Sequence, residues 1–233
     1  NAGLGVADST TAVVPNGTAG ETATMTITVR DGAGNPVIGW ADSLSVSVTG
    51  ANTATVTITD NGDGTYTATY VPTVSGMDNV AITLNGDPIA DSPFESEIST
   101  AAAAVLAIIT EPSTTAQSGI AFLQQPVIQV RDTLGNTVSQ AGVAVTATVL
   151  PGTGTLGGTT TVNTDASGIA TFTNLTLSGA TGSYTLVFSA TALVPDTSVT
   201  ITLSAGQGVA DSTTAVVPNG TAGETTTITI TVR

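Results

Sequence analysis

Thr24-Met25-Thr26-Ile27-Thr28-Val29 places a threonine at every even position and an apolar side chain at every odd one. That period of two is the mark of a strand with one face buried and one face wet. Leu44-Ser45-Val46-Ser47-Val48 and Thr55-Val56-Thr57-Ile58-Thr59 repeat the pattern. Turn chemistry separates such runs, as in Asp31-Gly32-Ala33-Gly34-Asn35-Pro36, Asp60-Asn61-Gly62-Asp63-Gly64 and Asn85-Gly86-Asp87-Pro88, where Gly and Asn supply left-handed backbone and Pro fixes φ. Short strands punctuated in this way predict an antiparallel β-sandwich. No stretch has helical periodicity: Ala101–Ala104 permits a helix but runs straight into the strand-like Val105-Leu106-Ala107-Ile108-Ile109.

Outward from the opening stretch, residues 1–30 return as residues 204–233 at a constant offset of 203, with Val6-Ala7-Asp8-Ser9-Thr10-Thr11 reappearing as Val209-Ala210-Asp211-Ser212-Thr213-Thr214. Only the pairs Asn1/Ser204, Leu4/Gln207, Ala23/Thr226 and Met25/Ile228 differ. The chain is therefore one turn of a tandem repeat followed by the start of the next. A unit of that length accommodates two sandwiches of about 100 residues each. The predicted organisation is a sandwich over residues 1–98, a linker at 99–104, a second sandwich over 105–205, and the first strands of the next repeat over 206–233, a copy of 3–30. That last segment cannot cover its own apolar face, so a neighbouring copy is expected to complete it, as the next repeat of one chain or by strand exchange. The terminal strands, with Thr24, Ile27 and Val29 in one copy and Thr225, Ile228, Ile230 and Val232 in the other, are the expected assembly elements.

Composition narrows the chemistry. The chain has no Cys, no His and no Lys, and its three basic residues are Arg30, Arg131 and Arg233. No disulfide staples it, no imidazole can act as general base or metal ligand, and no lysine can form the isopeptide crosslinks that reinforce some bacterial fibres. Net charge is −14, yet only 9% of residues are charged, so the surface is mostly hydroxyl and amide. Three arginines against 17 acidic residues leave no footprint for a phosphate backbone, which argues against nucleic acid. The aliphatic run Ala101–Ile109 falls far short of the roughly 20 residues that span a bilayer. Asn1 shows neither a charged nor an apolar leader region, and any secretion signal is expected to lie outside this sequence.

Asp60-Asn61-Gly62-Asp63-Gly64-Thr65-Tyr66-Thr67-Ala68-Thr69-Tyr70-Val71-Pro72, then Gly76, Asn85-Gly86-Asp87-Pro88-Ile89 and Ser92-Pro93-Phe94 resemble a filamin-type immunoglobulin-like repeat over residues 7–98. Met77-Asp78-Asn79 departs from that family's bulkier, more basic stretch, so the partners of cytoskeletal filamins are not carried over. Residues 104–204 resemble a bacterial immunoglobulin-like domain of invasin- and intimin-like surface proteins. The resemblance rests on Val130-Arg131-Asp132-Thr133-Leu134-Gly135-Asn136, Ala141–Thr146, Asn163–Phe172 and Gly182-Ser183-Tyr184-Thr185-Leu186. Arg30-Asp31-Gly32-Ala33-Gly34-Asn35 echoes Arg131-Asp132-Thr133-Leu134-Gly135-Asn136, so both halves read as variants of one plan. The expected fold is all-β, tandem immunoglobulin-like antiparallel β-sandwiches.

Candidate sites are few. Asp60, Asn61 and Asp63 put carboxylate and amide oxygens at alternating positions of a glycine-rich turn, as Ca²⁺ ligands can be arranged; the plain alternative is a hairpin turn that uses the same residues without an ion. Asp8, Asp91, Glu95 and Glu97 could feed a junction calcium. Trp40, the single Trp, is either a ligand-stacking platform or a packing residue. Sequons occur at Asn16, Asn174 and Asn219. Without His, Lys or Cys nothing activates a serine, and no catalytic residue is assigned. No cofactor is implied other than the candidate Ca²⁺.

The sequence-level reading is an extracellular structural repeat of a prokaryotic surface fibre or stalk. Its partners are other copies of the repeat, with no nucleic acid and no membrane insertion. The alternatives are an adhesin segment that binds carbohydrate or a host receptor, and a non-catalytic module of a secreted hydrolase.

Overall fold

The structure is a computed structural model and describes residues 3–206, 214–216, 219, 222, 225 and 227–231. The chain divides into two compact units, Asn1–Val105 with Val130–Gln140, and Leu106–Gln129 with Ala141–Arg233. Both are built from strands, and among the described residues the only helical elements are the single 3-10 turns Ala7–Ser9 and Ala41–Ser43. The all-β expectation holds.

In the first unit one sheet runs β1 (Thr11–Val13), β3 (Ala23–Thr28), β6 (Thr65–Tyr70), β5 (Thr57–Asp60). The other runs β2 (Gly17–Thr18), β9 (Phe94–Ser99), β7 (Gly76–Leu84), β4 (Leu44–Gly50), with β8 (Asp87–Pro88) added to β7. Neighbours pair antiparallel except β2 with β9, which is parallel. The opening alternation does what its period requires. Met25, Ile27 and Val29 are buried while Thr24 and Thr26 are exposed. They meet Tyr66, Ala68, Val80, Ile82 and Leu84 in one core, and burying each such side chain is worth about 1.5–3 kcal/mol.

From Val105 onward one sheet runs β10 (Val105–Thr110), β12 (Val127–Arg131), β16 (Ile169–Thr171). A second runs β11 (Thr115–Gln117), β20 (Ile201–Ser204), β18 (Gly182–Ser189), β13 (Ala144–Leu150), β15 (Thr161–Asn163), with β19 (Asp196–Thr197) also on β18. β14 (Thr155–Gly157) pairs with β17 (Thr176–Ser178). Leu175, Leu177, Leu186, Phe188, Ile201 and Leu203 are buried here, with Phe172 tilted against Phe188 at a centroid separation of 5.4 Å, a favourable aromatic geometry.

Past the second sandwich, β21 (Thr214–Val216) pairs with β22 (Thr229–Thr231). Its register, Thr214↔Thr231, Ala215↔Ile230 and Val216↔Thr229, reproduces that of β1 with β3, Thr11↔Thr28, Ala12↔Ile27 and Val13↔Thr26. The same residues thus form the same hairpin in both copies. Burial differs: Ile27 is 0% exposed, whereas Ile230 is 64% exposed.

Candidate functional site

The Asp60–Gly64 turn joins β5 to β6 and is tied together by its own side chains. Asp60 accepts from the Gly62 amide at 2.8 Å through one oxygen and from the Gly39 amide at 2.6 Å through the other. Asn61 donates to the hydroxyls of Thr65 and Thr67. Asp63 Oδ1 accepts from the Thr65 amide at 2.9 Å and its hydroxyl at 2.5 Å, and those bonds hold its carboxyl below the usual range, the Thr65 hydroxyl contributing most. The turn is glycine-dependent at Gly64, where φ is +88° and an added Cβ would lie 2.4 Å from Pro36 Cβ. These side chains order the hairpin and brace it against Gly39. Of Asp8, Asp91, Glu95 and Glu97, the two glutamates alternate on β9 with the buried Ser96 and Ile98. Among the described residues no group of three or more acidic, His or Cys side chains is disposed to hold a metal ion.

Trp40 precedes the second 3-10 turn and is half-buried on the rim of the first core. An added Cβ on Gly5 would lie 3.2 Å from its ring and 2.9 Å from Val29, so the glycine makes room for the indole. The Trp40 amide donates to the Tyr66 hydroxyl, which donates in turn to the Val37 carbonyl at 2.8 Å. Trp40 thereby packs partly against the first core.

The proposed assembly strands fall into different surroundings. β3 is flanked by β1 and β6, so both hydrogen-bonding edges are occupied over Thr26–Thr28. Ile27 and Val29 lie in the core and Thr24 faces outward. In the copy, Thr225, Ile228 and Ile230 are exposed; Val232 lies outside the described residues.

Two polar devices were missed by residue-by-residue reading. One is a buried network in which Asp78, 0% exposed, accepts from the Asn52 amide, the Asn52 side chain and the Tyr70 hydroxyl. Asn52 also accepts from the Thr73 and Val74 amides and donates to the Val74 carbonyl, so one side chain fixes the 73–75 turn. Burial, reinforced by Asp78, pushes the Tyr70 phenol up to about 12. The only sequence hint was the unusual Met77-Asp78-Asn79.

The other device occurs twice. Asp31 accepts from the amides of Ala33, Asn35 and Gly3 and from the Asn35 side chain, which hold its carboxyl far below the usual range, Asn35 foremost. Asp132 accepts from the amides of Leu134, Asn136 and Ala101 and from the Asn136 side chain. Burial raises its pKa, but these bonds outweigh it and the net direction is down. Each Asp therefore clamps the segment that enters its sandwich, Gly3 in one case and Ala101 in the other. In the first unit Asn136 goes further: it donates to the Thr73 carbonyl at 3.0 Å and accepts from the Ser75 amide at 3.0 Å. The echoed Arg-Asp-x-x-Gly-Asn motif was its signal.

Among the described residues the second unit also carries open hollows, of which two are the following. One, of about 370 Å³, is lined by Leu150, Pro151, Ser183, Tyr184, Thr185 and Thr200. The other, of about 620 Å³, runs along Glu111–Thr115 to Leu123 and Gln124. Neither presents an exposed aromatic ring; Tyr184 is 4% exposed and its hydroxyl donates to the Ala180 carbonyl.

Residues 3–95 match the family model described as the Filamin/ABP280 repeat, and residues 113–204 match that described as SMCHD1 Ig-like domain 6. Among solved structures the chain is similar to FdeC, an Escherichia coli adhesin, at 23% identity and a TM-score of 0.54, covering 100% of this chain and 76% of that one. It also resembles invasin, described as a bacterial integrin-binding protein (18% identity, TM-score 0.49, 87% of this chain and 41% of that one). A third neighbour is InvD of Yersinia pseudotuberculosis, at 19% identity and a TM-score of 0.45, covering 96% of this chain and 69% of that one. The first half is thus a filamin-type repeat, and the tandem immunoglobulin-like fold is the one seen in FdeC.

Proposed function

We propose that this chain is a structural repeat of an extracellular prokaryotic surface fibre or stalk, in which immunoglobulin-like sandwiches in series supply length and mechanical strength. The observation that carries the reading is the recurrence of the β1–β3 hairpin as β21–β22 with the same register, immediately after the second sandwich. Series repetition converts each sandwich into a fixed increment of length. Load along the chain is borne by ladders such as the seven-residue register of β4 with β7 and by clamps at the entry segments. The FdeC likeness supports a surface setting, and the chain's chemistry, without His, Cys or Lys, supports a non-catalytic role. The organisation into a sandwich at 1–98, a joint at 99–104 and a sandwich at 105–205 is part of this proposal.

Electron microscopy of native material, averaged along the long axis with and without EDTA, tests it. β7 has nine residues and extends about 30 Å, so a filament with an axial repeat of roughly 60 Å or more is expected. Dispersed particles without axial order would overturn the reading. The adhesin alternative draws on Leu123, which is 98% exposed beside the larger hollow; glycan or receptor capture abolished by Leu123→Asp would favour it.

A further inference from the structure

We propose that the loop Arg30–Asn35 is a docking element for the preceding sandwich of the array, and that Asn35 seats on the turn Gly179–Thr181 of the copy before it. The proposal rests on the serial-repeat reading. Its pattern is present in the first unit, where Asn136 joins the Thr73 carbonyl and the Ser75 amide. Asn35 occupies the same place in its own loop, held by its Asp in the same way, yet it is exposed where Asn136 is half-buried. Its side-chain oxygen has no partner among the described residues, and its amide nitrogen serves only Asp31.

The complementary half of the contact is present in the second unit. Gly76, φ +140°, opens β7 and pairs with Ile98 of β9; Gly182, φ +157°, opens β18 and pairs with Leu203 of β20. Thr73–Ser75, the three residues before Gly76, therefore correspond to Gly179–Thr181, the three before Gly182. That turn is exposed, and the Thr181 amide donates to nothing among the described residues. The flanking surface corresponds as well. A Cβ on Gly20, φ +85°, would lie 3.3 Å from Leu134 Cδ1. By strand register, Gly17 on Ile98 against Ala116 on Leu203, the counterpart of Gly20 is Gly119, φ +82°, and the residue that would lie over it is Ala33, the counterpart of Leu134.

The covalent path fixes the approach. Ser99 ends β9, and the amide clamped by Asp132 belongs to Ala101, two residues later. Ser204 ends β20, and two residues later stands Gly206, the copy of Gly3, whose amide is the one clamped by Asp31. The copy of the Asp31 loop is thus delivered at the same spacing from β20 as the Asp132 loop is from β9. Asn35 of that copy would accept from the Thr181 amide and donate to the Gly179 carbonyl, repeating the pair made by Asn136.

The test is a chain of two complete repeats, residues 1–203 in tandem, compared with the present 233-residue chain by amide hydrogen exchange. Exchange of Thr181 in the first copy is expected to slow by roughly fivefold or more, the effect of one net hydrogen bond. Asn35→Ala in the second copy should restore it, while Asn136→Ala, as the positive control, should free Ser75 in either chain. Unchanged exchange at Thr181 while Ser75 remains protected overturns the docking. Solution scattering from the same sample separates the two readings: an extended particle with Thr181 unprotected removes the docking alone, whereas a collapsed particle removes the serial-repeat reading with it.

Discussion

Replacing Asn52 by Ala should destabilise the first sandwich selectively. The Asn52 side chain donates to both oxygens of Asp78 at 3.1 Å and to the Val74 carbonyl at 2.8 Å, and it accepts from the Thr73 and Val74 amides at 2.9 and 3.0 Å. Truncation leaves Asp78, which is fully buried, with the Asn52 amide and the Tyr70 hydroxyl as its partners. Losing a hydrogen bond to a buried charge costs about 1.5–3 kcal/mol, and the neutral bonds in the 73–75 turn add about 1 kcal/mol in total because part of that turn can recruit water. The expected loss is therefore about 2.5–4 kcal/mol, a fall in melting temperature of at least roughly 10 °C for a sandwich of this size. Trp40, the single Trp, reports on the first sandwich alone, so urea unfolding followed by its fluorescence isolates the effect, with exposed Asn79→Ala as a control expected to stay within about 0.5 kcal/mol. A loss below about 1 kcal/mol for Asn52→Ala would refute the argument that this side chain compensates a buried carboxylate.

Acid stability should depend on the two clamping aspartates. Both carboxyls are lowered in the folded chain, so their contribution is complete above the ordinary value near 4 and disappears as pH falls through the lowered values; Asp31→Asn and Asp132→Asn should flatten the acid limb of a stability–pH curve, measured by urea midpoints between pH 2 and 6. At the alkaline end the sign reverses. Tyr70 is raised to about 12, so its neutral form stabilises the fold fully below about pH 10, with loss between there and 12; Tyr70→Phe should be less stable at neutral pH but lack that alkaline loss. At the Asp60–Asp63 turn, whose oxygens already serve Gly39, Gly62 and Thr65, calcium is expected to act only in the millimolar range. A melting-temperature titration with Asp60→Asn as control checks this, and a micromolar midpoint abolished by that variant would show that the ion reorganises the turn.

Strand identity was legible because alternation and turn chemistry agreed: a threonine on every even position of residues 24–28 has nowhere to go but outward once Met25 and Ile27 are inside. The second sandwich was legible for the same reason, although its strands β14, β15, β16 and β17 are only three residues long. Polar partnerships were not legible, since they join residues distant in sequence. Nothing near Asn52 announces Asp78, 26 positions away, and nothing near Asn136 announces Ser75, 61 positions away. Trp40 shows the same limit: its neighbourhood is set by Gly5, on a different segment. For assembly, sequence identified the strand that recurs but not which of its edges is spent, and β3 spends both over Thr26–Thr28.

The contrast between Ile27 and Ile230 separates what a hairpin encodes from what a sandwich encodes. Register is the same in the two copies, although only the first is buried. Burial requires β6, whose Tyr66 stands opposite Ile27, and a two-stranded hairpin without such a partner is marginal in water. Two nearly identical hairpins in one chain can therefore compete for a single β6, the strand-exchange hazard of repeat proteins. Alternating two unlike sandwiches mitigates it. The β1–β3 hairpin is followed in sequence by β6 only about 40 residues on (Ile27 to Tyr66), whereas the rival copy lies beyond a complete sandwich of different sequence. Loop-closure entropy also favours the nearer partner, though only modestly.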